Sequence, residues 1–129
     1  MAHLLVIDDD SLIRDVLRRS LERAGHSVVE AADGRQGLAA HRATPFDLVI
    51  TDIIMPGMEG LETILEFRRQ FGATKIIAIS GGGIGHAGDY LALASKFGAD
   101  RIAAKPFSMT RIVALVEEVL EEGQTPAVR

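Results

Sequence analysis

Carboxylates crowd two places in the chain, at Asp8, Asp9 and Asp10 and again at Asp52, each directly after a short apolar run. A hydroxyl at Ser80 leads into Gly81, Gly82 and Gly83, and an ammonium at Lys105 precedes Pro106, again after apolar runs. Like charges held close raise one another's pKa and cost stability, which is tolerable mainly where a cation compensates. The cation that suits such oxygens is magnesium, with manganese as its substitute: it prefers octahedral coordination, keeps several waters, and is held by one or two carboxylates beside a phosphate. Acids, a hydroxyl, backbone amides and an ammonium on one rim make a kit for phosphoryl transfer, where catalysis is mostly positioning and neutralisation of oxygen charge. Asp52 would be the nucleophile, as carboxylates are in aspartyl-phosphate chemistry. Taken singly, each residue also has a plainer reading. Asp10 or Ser11 serves as a helix N-cap, Ser80 as a turn residue, the glycines as a flexible loop and Lys105 as a solvated charge at a strand end. For Asp10 the cap is preferred; for Asp8, Asp9 and Asp52 together, the metal site.

These groups meet only if the elements beneath them carry them to one rim. LLVI at 4–7, SVVEA at 27–31, DLVIT at 47–51, KIIAI at 75–79 and RIAA at 101–104 predict five strands. Between them, apolar residues recur at helical spacing: Leu12, Ile13, Val16, Leu17 and Leu21, then Leu61, Ile64, Leu65 and Phe71, then Leu91, Ala94 and Phe97. Residues 34–44 form a weaker helix, and Met109, Ile112, Val113, Val116, Val119 and Leu120 mark a strong final one. Gly25, Gly72 and Gly98 stand where helices should stop. Strict alternation of strand and helix, with strands apolar on both sides, implies an α/β fold: a doubly wound parallel sheet with helices on both faces. Ligands bind beyond the carboxyl ends of such strands, which is where the acids, Ser80 and Lys105 stand.

The bulk properties restrict the function further. A chain of 129 residues fits one domain with one hydrophobic core, read as residues 1–123 with a short tail at 124–129 and no room for a separate output domain. Its 47% apolar and 25% charged residues argue against disorder and a membrane span. A net charge of −4 repels nucleic acid, and no basic run interleaved with aromatics compensates. Cysteine is absent, so any metal must be held by oxygen or imidazole. The apolar run at the N-terminus is too short for a signal peptide, and a cytoplasmic location is expected. Arg14, Arg18, Arg19 and Arg23, interrupted by Asp15 and Glu22, read as a solvated helix face. His86 reads as a surface histidine. GGGIG lacks both the P-loop lysine and the dinucleotide spacing.

Taken in order, LLVIDDD, DLVITDIIMPGMEG, IAISGG and AAKPF resemble the bacterial response-regulator receiver domain over residues 3–122. The resemblance implies a flavodoxin-like five-stranded sheet of order 2-1-3-4-5, in a stand-alone signalling module rather than an enzyme acting on other molecules. It implies that Asp52 accepts a phosphoryl group from a histidine kinase or histidine phosphotransfer protein. Magnesium would then be held by Asp8, Asp9, Asp52 and the backbone carbonyl of Ile54. Ser80, Lys105 and the Gly81 amide would contact the phosphoryl oxygens, Lys105–Pro106 would be cis, and a downstream protein would read the changed surface.

Three departures from the family pattern stand out. Ile102 stands where many receivers place a switch tyrosine or phenylalanine in the fifth strand, which argues against the usual aromatic rotation and leaves repacking of a smaller apolar side chain. Ile54 and Gly82 offer no polar group to orient an attacking water, which predicts slow phosphate loss. GGGIGHAGD is long and glycine-rich, which predicts that the loop carries much of the response. Two other functions remain open: a receiver-fold module that binds without phosphorylation, and a magnesium-dependent phosphohydrolase. The latter would need a second acid two positions after Asp52, where Ile54 stands.

Overall fold

A computed structural model of the chain describes residues 2–53, 59–80, 92, 94–104 and 107–124. Five strands, β1 (His3–Ile7), β2 (Ser27–Ala31), β3 (Leu48–Asp52), β4 (Lys75–Ser80) and β5 (Arg101–Ala104), form one sheet in the order β2-β1-β3-β4-β5. All the pairings are parallel. The intervening helices are α1 (Ser11–Arg23), α2 (Gly34–Ala43) and α3 (Glu59–Gln70), and α5 (Met109–Gln124) follows β5. Residues 92 and 94–97 are the described part of α4. The α/β class, the strand order and the helices on both faces match what the sequence and its resemblance imply.

Alternation along the strands divides the core in two. Leu5, Ile7, Val49, Ile76 and Ala78 point to one face and pack with Leu61, Ile64 and Phe67 of α3 and Ala94 of α4. Leu4, Val6, Leu48, Ile50, Ile77 and Ile79 point to the other and meet Leu17 and Leu21 of α1 and Ile112, Leu115, Val116 and Val119 of α5. The strands β1, β3 and β4 are buried on both sides, as their unbroken apolar runs require. The edge strands differ: most of β2 is exposed, and β5 alternates between half-buried and exposed. Several periodic apolar positions also lie outside the core. Leu12 is 69% exposed and Leu65 49%, whereas Phe67, absent from the expected stripe, is wholly buried.

Chain punctuation follows local chemistry. Asp10 caps α1, its carboxylate accepting from the amides of Leu12 and Ile13, which decides between Asp10 and Ser11. Asp33 caps α2 through the Gln36 amide. Gly25 after α1 and Gly98 after α4 have φ of +102° and +121°, a region that glycine enters without strain. Gly72 shows no positive φ, so its place after α3 does not rest on that freedom.

His41 is a structural histidine with a consequence for acid stability. Its ring sits edge-on to Phe67 and Phe71 and stacks with Phe46, and its Nδ1 accepts from the Phe46 amide at 3.2 Å. Burial pushes its pKa below the usual 6.5, because the charged ring loses water. The unfolded chain therefore binds this proton more readily than the folded one. Stability from the neutral ring is complete above the unfolded pKa and is lost as pH falls through the lower folded value. The urea midpoint should fall between pH 7.5 and pH 5.5, and His41→Asn should flatten that part of the profile. An equally steep profile in the variant would assign the acid sensitivity elsewhere.

Candidate functional site

The register of the sheet brings the acids together. Ile7 of β1 pairs with Thr51 of β3, so the next residues on the two strands, Asp8 and Asp52, lie side by side at the carboxyl end. Asp52 is the last residue of β3 and Ser80 the last of β4, each one position further into its strand than the sequence pattern suggests. Both are consequently buried: Asp52 is 4% exposed, and Ser80, like Asp8, is fully enclosed. Asp9 is exposed at the mouth.

One carboxylate oxygen from each of Asp8, Asp9 and Asp52 lies within 4.8 Å of the others. Three carboxylate oxygens gathered at one point are the hard oxygen donors that magnesium takes, and Asp8, Asp9 and Asp52 would hold such an ion. Like charges gathered this closely repel one another, and a bound cation would offset that repulsion. Exposed Asp9 leaves room for the waters that magnesium retains.

The Ser80 Oγ is a further polar group enclosed at this sheet end. It is buried without a hydrogen-bond partner among the described residues. Leaving a buried hydroxyl unpaired costs about 1–3 kcal/mol. Ser80 stands on the same rim as Asp52, two strands across from Asp8.

The Asp8–Asp9–Asp10 turn is held from several sides. The Asp8 amide donates to the Ala31 carbonyl at 3.1 Å, and the Asp10 amide donates to Asp8 Oδ1 at 2.9 Å. Arg14 Nη1 donates to the Asp8 carbonyl at 2.6 Å, while its Nε donates to Glu30 at 3.1 Å. The reading of Arg14 as part of a solvated face is thus corrected: its side chain is 17% exposed and serves the acidic turn. No periodicity signals this, because Arg14 is on α1 and Glu30 on β2. Gly60 was also missed. A Cβ there would stand 2.5 Å from the Asp52 carbonyl and 2.2 Å from the Ile53 Cα. The first turn of α3 rests directly on the backbone of the central acid.

Gly81, Lys105 and Ile54 lie outside the described residues, as do Gly82, Gly83, His86 and Pro106. Ile102 lies on edge strand β5 and is 39% exposed. No helix among the described residues is long and apolar enough to cross a membrane.

Comparison with known proteins agrees with this geometry. Residues 4–117 match the family described as response regulator receiver domain. Among curated relatives, the transcriptional regulatory protein FixJ of Bradyrhizobium diazoefficiens is 32% identical over 97% of this chain and 60% of its own length. The chain spans about half the length of the curated relatives it matches. Among solved structures, a CheY-like response regulator receiver domain protein from Methanospirillum hungatei JF-1 superposes with a TM-score of 0.88 at 28% identity, covering 96% of this chain and 97% of that one. The receiver domain of NtrX from Brucella abortus superposes with a TM-score of 0.85 at 32% identity, covering 92% and 98%.

Proposed function

Since the chain belongs to the response regulator receiver domain family, we propose that it is a phosphoacceptor switch that takes a phosphoryl group onto Asp52 from a partner phosphohistidine. The observation that carries this reading is the buried rim on which Asp52 stands beside Asp8 and Asp9, with the Ser80 hydroxyl on the same sheet end. A carboxylate oxygen of Asp52 attacks phosphorus, the P–N bond breaks, and its electron pair leaves with the donor imidazole, which takes up a proton. The product is an acyl phosphate on Asp52, and attack by water later releases inorganic phosphate. Catalysis of this kind serves the chain itself and not a separate substrate.

Asp8, Asp9 and Asp52 fit a magnesium or manganese ion, and the carbonyl of Ile54 is proposed as a further ligand. When bound, the ion supplies charge that offsets the oxygens of the transferring group. Ser80 donates its hydroxyl to a phosphoryl oxygen, and Lys105 and the Gly81 amide are assigned the other oxygens. A histidine kinase or histidine phosphotransfer protein is the proposed donor, and a downstream protein the reader. The switch is placed in the cytoplasm, where receiver domains usually work. Incubation with magnesium and acetyl phosphate, followed by intact mass measurement, tests the reading. One added phosphoryl group is expected, and an unmodified mass would refute it.

Magnesium should also stabilise the fold by mass action, by about 2.7 kcal/mol at a hundredfold excess over the dissociation constant, a rise in melting temperature on the order of 10 °C. In Asp9→Ala this rise should shrink, while the metal-free variant melts no lower than the parent because a repulsion is gone. Thermal scans with and without magnesium check both. An undiminished rise in the variant would move the cation away from Asp9.

A further inference from the structure

We infer that Arg14, paired with Glu30 of the sheet edge, is a positioning residue for the cation site. The inference rests on the cation reading above and extends it to residues outside the acidic cluster. Asp8 and Asp9 share one peptide unit, and the carbonyl of that unit is the oxygen to which Arg14 Nη1 donates at 2.6 Å. The Asp8 amide is fixed by Ala31 and one Asp8 carboxylate oxygen by the Asp10 amide. Arg14 therefore removes the remaining freedom of the link that sets where the two carboxylates stand relative to each other. Its own planar fork is held by Glu30 Oε1 at 3.1 Å, and the other oxygen of Glu30 accepts from Arg18 Nε at 2.7 Å.

Charge separates this role from plain electrostatics. A guanidinium near a cation site repels the incoming ion, so a residue acting through charge alone would weaken binding, and its removal would tighten it. A residue acting through position does the reverse. Partners that orient metal ligands typically change affinity by about 10- to 100-fold when removed. The pairing with Glu30, which Arg18 shares, orients the arginine as it holds the backbone.

The test measures magnesium affinity by calorimetry and metal-free melting temperature for the parent, Arg14→Met, Arg14→Lys and Arg18→Met. Arg14→Met should bind magnesium about tenfold or more weakly. Arg14→Lys, whose ammonium cannot span both Asp8 and Glu30, should fall between it and the parent. Arg18→Met, which removes a partner of Glu30 but no contact with Asp8, should stay close to the parent. Equal or tighter binding in Arg14→Met, or a lowered melting temperature with unchanged affinity, overturns the positioning role. If Arg14→Met does not fold, parental affinity in Arg14→Lys overturns it instead. A parent that binds no magnesium would refute the cation reading itself, a result separate from any difference among the variants.

Discussion

Asp52→Asn takes up no phosphoryl group from acetyl phosphate in the presence of magnesium, while it melts at or above the temperature of the metal-free parent. The amide is nearly isosteric with the carboxylate, so the end of β3 keeps its packing, but it has no anionic oxygen to attack phosphorus. Stability is retained because the substitution removes one of three charges whose oxygens lie within 4.8 Å of one another. The parent should add one phosphoryl group by intact mass under the same conditions and the variant none. A phosphoryl group appearing on Asp52→Asn to the parental extent would place the acceptor on another residue. A variant that fails to fold would show that the buried Asp52, 4% exposed, is needed for structure as well.

Gly60→Ala both destabilises the domain and impairs phosphorylation. The added methyl would stand 2.2 Å from the Ile53 Cα, 2.5 Å from the Asp52 carbonyl oxygen and 2.6 Å from the Ile53 carbonyl carbon. All three are backbone atoms, which cannot rotate aside as a flexible side chain would. Either α3 lifts from the sheet or the end of β3 moves, and overpacking of this kind costs about 1–3 kcal/mol. Moving β3 displaces the nucleophile, and a misplacement of about 1 Å can cost about 100-fold in rate. Gly72→Ala is the control, since its Cβ would meet only the Arg68 carbonyl at 3.6 Å, an ordinary contact. It should be neutral or slightly stabilising through the unfolded chain. Chemical denaturation and the rate of labelling read the two effects separately. Parental stability and labelling in Gly60→Ala would mean that the close approach imposes no constraint.

Much of the architecture was legible because its signals are local. Apolar runs of β length, each followed by a helical period, specify parallel strands covered on both faces, and the same runs end on Asp8, Asp52 and Ser80. Local chemistry likewise marks the Asp10 cap and the stops at Gly25 and Gly98. Periodicity could not say which strands lie at the edges, because strand order is a long-range property. Only the order β2-β1-β3-β4-β5 makes β2 and β5 partly exposed. It could not separate Leu12 and Leu65 from the buried stripe either, since exposure depends on what packs against each helix.

The candidate site divides in the same way. Residue types and their places at strand ends identify the acids and Ser80 from sequence alone, because the chemistry lies in the side chains and the rim follows from the fold class. The supports of the site come from tertiary structure. Arg14 reaches the Asp8 carbonyl because Glu30, on a neighbouring strand, orients its fork. Gly60 is required because the start of α3 is pressed onto the backbone of Asp52 and Ile53. The Ser80 hydroxyl is enclosed without a partner among the described residues because it ends a strand buried by packing on both sides of the sheet. Sequence determined which groups could do the chemistry; packing between elements remote in the chain decided how those groups are held, since such contacts leave no local period to read.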